Sequence, residues 1–152
     1  QQISPSDELG AAACANIIDT GAENDGHPRD KTLVGRRLER VALNSVYGDG
    51  SVLPTPRAVS AEYRAGGAAV GINSFGGKLE GRGEPRGFEL KIGGKWVAAK
   101  PELKGGSSVW VASPDGKSVP GGVRYLWKPW AKPDVWIYNS QNVPLFPFEF
   151  EK

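Results

Sequence analysis

The sequence predicts a piece of an α/β domain followed by an all-β domain, and three observations carry this. Residues 11–18 form a continuous run of small and apolar side chains with Asn16 as its one polar member. Such a run, bounded by turns, fits a strand buried on both faces, as in a parallel sheet. Residues 28–47 place Leu33, Val34, Leu38, Val41, Ala42 and Val46 at the three-and-four spacing of one buried helix face. Beyond about residue 57, short β-like segments recur every ~10 residues between glycine turns, the pattern of a β-sandwich. The expected division is residues 1–50 for the α/β piece and 51–152 for the β-sandwich.

In chain order, residues 4–10 read as a polar loop and 11–18 as the buried strand, closed by Asp19-Thr20-Gly21. A loop over 22–27 leads to the helix. Pro28 suits a first helical position, Asp30 complements the dipole in the first turn, and Gly48 suits the C-terminal cap. Residues 49–56 are a linker. Strands are expected at 59–63, 68–72, 88–92, 96–99, around Val109 and Val111, at 123–127 and at 135–138. Gly66-Gly67, Gly76-Gly77, Gly93-Gly94, Gly105-Gly106 and Gly121-Gly122 supply turns. The Pro- and Phe-rich tail, 143–150, is expected to pack extended against a neighbouring surface.

Composition narrows the function. The formal net charge is +2, with acids and bases interleaved. No basic run has the length of a nucleic-acid tract, and no apolar run has the length of a membrane span. The single cysteine, Cys14, has no partner for an internal disulfide, and one histidine with one cysteine makes no zinc site. No cofactor or metal is expected. Gly 21 and Pro 12 are high and favour short strands and many turns. The sequence holds no methionine, hence no initiator, and reaches a buried strand soon after Gln1. It reads as the C-terminal part of a longer polypeptide.

The stretch with most chemistry is Asn24-Asp25-Gly26-His27-Pro28-Arg29-Asp30-Lys31, which holds the only histidine. With Pro28 opening the helix, His27 falls at a strand-to-helix connection, where ligands collect in open α/β sheets. Asp25 is near enough to orient the imidazole if the loop folds back. A base with an adjacent carboxylate is the recurring pair of nucleophilic hydrolases. A lone histidine at a helix start is equally a cap or a surface residue, and the triplet by itself favours that plainer reading.

A wider set of residues resembles one family. Ile17-Ile18-Asp19-Thr20-Gly21, the His27 stretch, Val34-Gly35-Arg36-Arg37-Leu38, Ala42-Leu43 and Tyr47-Gly48 follow in order. Then come Gly87-Phe88-Glu89, Gly94-Lys95-Trp96, Val123-Arg124-Tyr125-Leu126-Trp127, Ile137-Tyr138-Asn139-Ser140, Val143-Pro144 and Pro147-Phe148. Together they are similar to the C-terminal block of sialate O-acetylesterase-like enzymes, carbohydrate acetylesterases with an SGNH (GDSL-like) hydrolase domain. The resemblance implies that the α/β piece is the last strand-loop-helix of an SGNH α/β sandwich. It implies His27 as catalytic base and Asp25 as its orienting acid. Gly26 stands where the family usually has isoleucine. SGNH enzymes at large place the acid three residues before the histidine, here Asn24, and Asp19 is a further candidate.

The family's serine block and its oxyanion-hole glycine and asparagine are not recognisable here. The resemblance therefore implies an upstream segment or second chain that carries the nucleophilic serine and the oxyanion hole. The implied substrate is an acetylated carbohydrate and the implied location secreted or periplasmic, with no nucleic-acid or membrane partner. Among the tryptophans, Trp130 is the best candidate for an exposed sugar-stacking platform; core packing is the simpler reading for most others. The rival from another class is a non-catalytic carbohydrate-binding or scaffolding β-sandwich module. It explains the tryptophans but not the Asp-x-His-Pro loop beside an amphipathic helix.

Overall fold

The computed structural model describes residues 13–152. Its described elements are one helix, α1 (Thr32–Ser45), and nine strands: β1 (Arg57–Arg64), β2 (Gly67–Asn73), β3 (Leu79–Gly81), β4 (Phe88–Ile92), β5 (Lys95–Lys104), β6 (Ser108–Ala112), β7 (Gly122–Tyr125), β8 (Ile137–Asn139) and β9 (Phe148–Glu151). A single 3-10 turn, Lys132–Asp134, precedes β8. No described helix is long and apolar enough to cross a membrane.

Seven strands form one antiparallel sheet in the order β1-β2-β6-β5-β4-β7-β9; β3 and β8 make a separate pair. The ten-residue β5 joins two halves. Its residues Lys95 to Ala99 pair with β4 and its residues Lys100 to Lys104 with β6. A strand that passes from one half to the other is how a curled sheet turns a corner. The edges β1 and β9 then approach one another, where the Tyr63 hydroxyl donates to the Phe150 carbonyl at 3.0 Å. The result is a nearly closed sheet rather than two separate sheets of similar size.

Alternation explains the core. Ala68, Val70 and Ile72 of β2, Val109 and Val111 of β6, Phe88 and Leu90 of β4, and Val123 and Tyr125 of β7 are all buried. Residues two apart on a strand share a face. Leu79, Ile137, Leu145 and Phe148 complete the cluster.

Strand locations follow the sequence expectation, with four differences. β5 continues through Pro101, which reads as a breaker; the buried proline sits opposite Val111 as the strand changes partner. β7 stops at Tyr125 because Leu126 adopts a left-handed backbone, φ 52°. β8 starts only at Ile137, after the 3-10 turn. The three-residue β3 is too short for alternation to reveal.

The amino-terminal expectations need more correction. The polar loop 4–10 and the first two residues of the expected strand lie outside the described residues. Residues 13–18 form no strand. Their polar groups are taken by loops instead: Asn16 Nδ2 donates to the Pro144 carbonyl at 2.9 Å, and the Asn16 carbonyl accepts from Arg37 Nη1 at 2.7 Å. The helix begins at Thr32, not Pro28, because Asp30 Oδ1 accepts the Thr32 N–H at 2.9 Å and satisfies a first-turn donor there. It ends at Ser45, with Val46 as cap, so Gly48 lies beyond the end.

The helix face also differs. Arg37 is the buried residue of α1, while Leu38 and Val46 are 55% and 74% exposed. The side that bonds to the rest of the chain carries Arg37, Arg40 and Asn44, which reach the Asn142 carbonyl, Gln141 and the Val52 carbonyl. Of the expected apolar stripe, Leu33, Val34, Val41 and Ala42 are half-buried, and only Leu38 and Val46 are exposed.

Candidate active site

The His27 loop is a series of tight turns held at both ends. Before it, the Thr20 N–H and hydroxyl both donate to the Ile17 carbonyl, at 3.0 and 2.7 Å. Within it the Asp25 N–H donates to the Ala22 carbonyl at 3.3 Å. The bond joining the two candidate catalytic residues runs from the His27 backbone N–H to Asp25 Oδ1, at 2.8 Å. Both side chains are exposed, as is Asn24. An Asp that accepts from the backbone two residues on is an Asx turn, and it fixes the backbone on which the imidazole is carried. With α1 starting at Thr32, His27 lies outside the turn over which a helix dipole acts.

Asp19 is placed differently. Its carboxylate is paired with the guanidinium of Arg37, Oδ1 to Nη1 and Oδ2 to Nη2, the latter at 2.7 Å. Arg37 is 3% exposed and Asp19 12%. Tyr138 also donates its hydroxyl to Asp19 Oδ2 at 3.2 Å. Burial, then the neighbouring Asp19 charge, push the Tyr138 phenol up to about 12. Asp19 thus anchors the segment before the loop to the β-body and is already engaged on both oxygens.

The turn after β8 completes this anchor. The buried Asn139 Oδ1 accepts the Gln141 and Val143 N–H groups at 3.0 and 2.9 Å. That shapes the turn whose Asn142 carbonyl lies 3.5 Å from Arg37 Nη2. Gln141 Oε1 accepts from Arg40 and from the Leu53 N–H, the latter at 2.8 Å.

An open groove of about 520 Å³ runs beside the His27 loop. Asp25, Gly26 and Pro28, which flank His27, line it together with Pro129, Trp130 and Ala131. The structure therefore brings the Asp25 loop and Trp130, more than a hundred residues apart, to one concavity. Lys132 ties the two walls by donating its Nζ to the Gly21 carbonyl at 2.8 Å. Trp130 is half-buried.

The other tryptophans separate by environment. Trp136 is 5% exposed and packs edge-on to Phe88, ring centres 6.4 Å apart. Its backbone N–H and that of Ile137 donate to the Tyr125 hydroxyl at 2.9 and 3.2 Å. Trp110 and Trp96 are half-buried, with Arg64 and Arg124 stacked on them at 4.8 and 4.4 Å. Trp127 lines a second concavity beside the first. Among the described residues, no group of three His, Cys, Asp or Glu is placed to hold a metal ion.

Sequence reading missed Arg37, Tyr138 and Asn139 as the anchor under the loop. A signal for Arg37 was present: it stands between Leu33 and Val41 at four-residue intervals, on the helix side that packs inward.

No family model matches the chain, and no curated protein matches it. Among solved structures it is similar to XAC1771, a carbohydrate acetylesterase from Xanthomonas citri, at 30% sequence identity and a TM-score of 0.83. The match covers 91% of this chain and 32% of that one, so the chain spans about a third of the matched protein.

Proposed function

We propose that this chain is the C-terminal portion of a carbohydrate O-acetylesterase with a serine-hydrolase mechanism, of the sialate O-acetylesterase-like SGNH kind. The observation that carries the reading is the likeness to a carbohydrate acetylesterase over 91% of the chain. The groove supports it, since Asp25, Gly26 and Pro28, on either side of His27, line it opposite Trp130.

In this reading a serine from an upstream segment or partner chain attacks the acetyl carbonyl of a sugar ester. His27 takes the serine proton and passes it to the departing sugar oxygen. Water then repeats the sequence on the acetyl-serine. Asp25 fixes the His27 backbone through Oδ1 and offers Oδ2 to the imidazole in the assembled site. Trp130 takes one face of the sugar ring. The proposal includes a secreted or periplasmic location, which the carbohydrate substrates of the resembled family imply.

The test is acetate release from an aryl acetate. Residues 1–152 alone should show none above background, and addition of the serine-bearing segment should restore it. Serine-dependent turnover by these residues alone would contradict the split. Absence of turnover in the full assembly would leave the non-catalytic carbohydrate-binding module.

A further inference from the structure

We propose that the Trp130 groove continues past Pro129 into a second sugar subsite built on Trp127, so that its ligand is an oligosaccharide chain and not a single sugar. This rests on the reading of the groove as a carbohydrate site.

The concavity beside Trp127 has a volume of about 380 Å³ and shares Ile18, Pro129 and Pro147 with the Trp130 groove of about 520 Å³. The two spaces are one open track with a tryptophan along each part. The outward placement of Trp127 is built, and the backbone shows how. Residues two apart on a strand share a face, so a β7 continued past Tyr125 would send Trp127 into the core beside it. Instead Leu126 takes the left-handed conformation, φ 52°, unusual for a branched side chain. Leu126 and Tyr125 are consequently both buried, and Trp127 turns out to the track.

Two bonds hold this turn. The Leu126 N–H donates to the Gly87 carbonyl at 2.9 Å, and the Lys128 N–H to the Leu126 carbonyl at 2.9 Å. Gly87 is required at that contact, since a Cβ there would lie 2.7 Å from the Asp134 carbonyl oxygen. Lys128 pairs with Asp134 across the same loop. A strained backbone maintained by its surroundings points to a task for the residue it aims. The chemistry fits pyranose rings in series. Their C–H faces would lie against the electron-rich faces of the indoles, with Thr20, Asp25 and Lys31 among the residues lining the Trp130 part.

The test is titration of the 152-residue chain with β-1,4-linked xylose, glucose and N-acetylglucosamine oligosaccharides of increasing length, followed by tryptophan fluorescence and calorimetry. For at least one series the tetrasaccharide should bind about tenfold or more tightly than the monosaccharide, ~1.4 kcal/mol. Trp127→Ala should abolish that length dependence; Trp130→Ala should weaken binding of both the monosaccharide and the tetrasaccharide. Trp127→Phe, which keeps a ring, should retain most of the dependence, and unchanged melting temperatures show that the variants are folded. Affinity independent of length, an unaffected Trp127→Ala, or no binding in any series overturns the second subsite. Aryl acetate hydrolysis by the assembled enzyme is scored separately. Turnover without oligosaccharide binding refutes the track and keeps the esterase, while length-dependent binding without turnover does the reverse.

Discussion

Arg37 is where the amino-terminal segment, the helix and the β-body meet. Its guanidinium, on the helix, contacts the Asn16 carbonyl and the Asp19 carboxylate of the amino-terminal segment and the Asn142 carbonyl of the turn after β8. A buried ion pair gains little over an apolar replacement of both partners, but removing one partner strands the other charge. Arg37→Met should therefore lower unfolding stability by about 3 kcal/mol in urea. It should also expose the segment 13–22 to hydrogen exchange while β2 and β6 stay protected. A loss under about 1 kcal/mol would show that the pair is not the anchor. At this scale the candidate site was half legible. His27 and Asp25 stand out because only one histidine exists and a carboxylate lies beside it in sequence. Arg37 and Tyr138 do not, because their partners are brought together only by folding.

Among the elements, the strands were readable because alternation and glycine turns are local properties. β5 and β8 were misjudged where a distant partner decides the length. Gly67 shows how tightly neighbouring strands can set a residue. A Cβ there would lie 2.2 Å from the Val111 carbonyl oxygen and 2.7 Å from the Trp110 ring. Gly67→Ala should cost about 2 kcal/mol or more, measured by thermal or urea unfolding, as expected for overpacking against backbone. The turn between β6 and β7 has a pH signature. The Ser118 hydroxyl first, then the Lys117 and Ser118 N–H groups, hold the Asp115 carboxyl down to about 2 from its ordinary 3.8. A carboxyl whose pKa is lowered by folding contributes stability that is complete above its unfolded value and is lost as pH falls through the folded one. Carbon-detected NMR should show Asp115 titrating near pH 2, with the turn loosening only across about pH 4 to 2. A midpoint near 4 would refute these bonds in solution.

For the whole molecule, nearly all of the chain has a counterpart in a carbohydrate acetylesterase, yet it accounts for about a third of that protein. The β-rich body was legible from sequence; its near-closure was not, since it depends on β5 changing partner midway. The apolar side of α1 was legible as a stripe, but not that Leu38 and Val46 would stay exposed while Arg37 is buried. The central claim is that His27 is the general base of an acetylesterase completed by a serine from elsewhere. Its most direct test is acetate release against pH by the assembled enzyme and its His27→Ala variant. The variant should lose on the order of 10⁴ to 10⁶ in turnover, as base removal does in serine hydrolases, with folding retained. In the wild type, kcat/KM should rise with unit slope below an apparent pKa of about 6 to 7, in the histidine range. Retention of more than about a tenth of the turnover by His27→Ala, a loss under ~1.4 kcal/mol, would contradict the assignment.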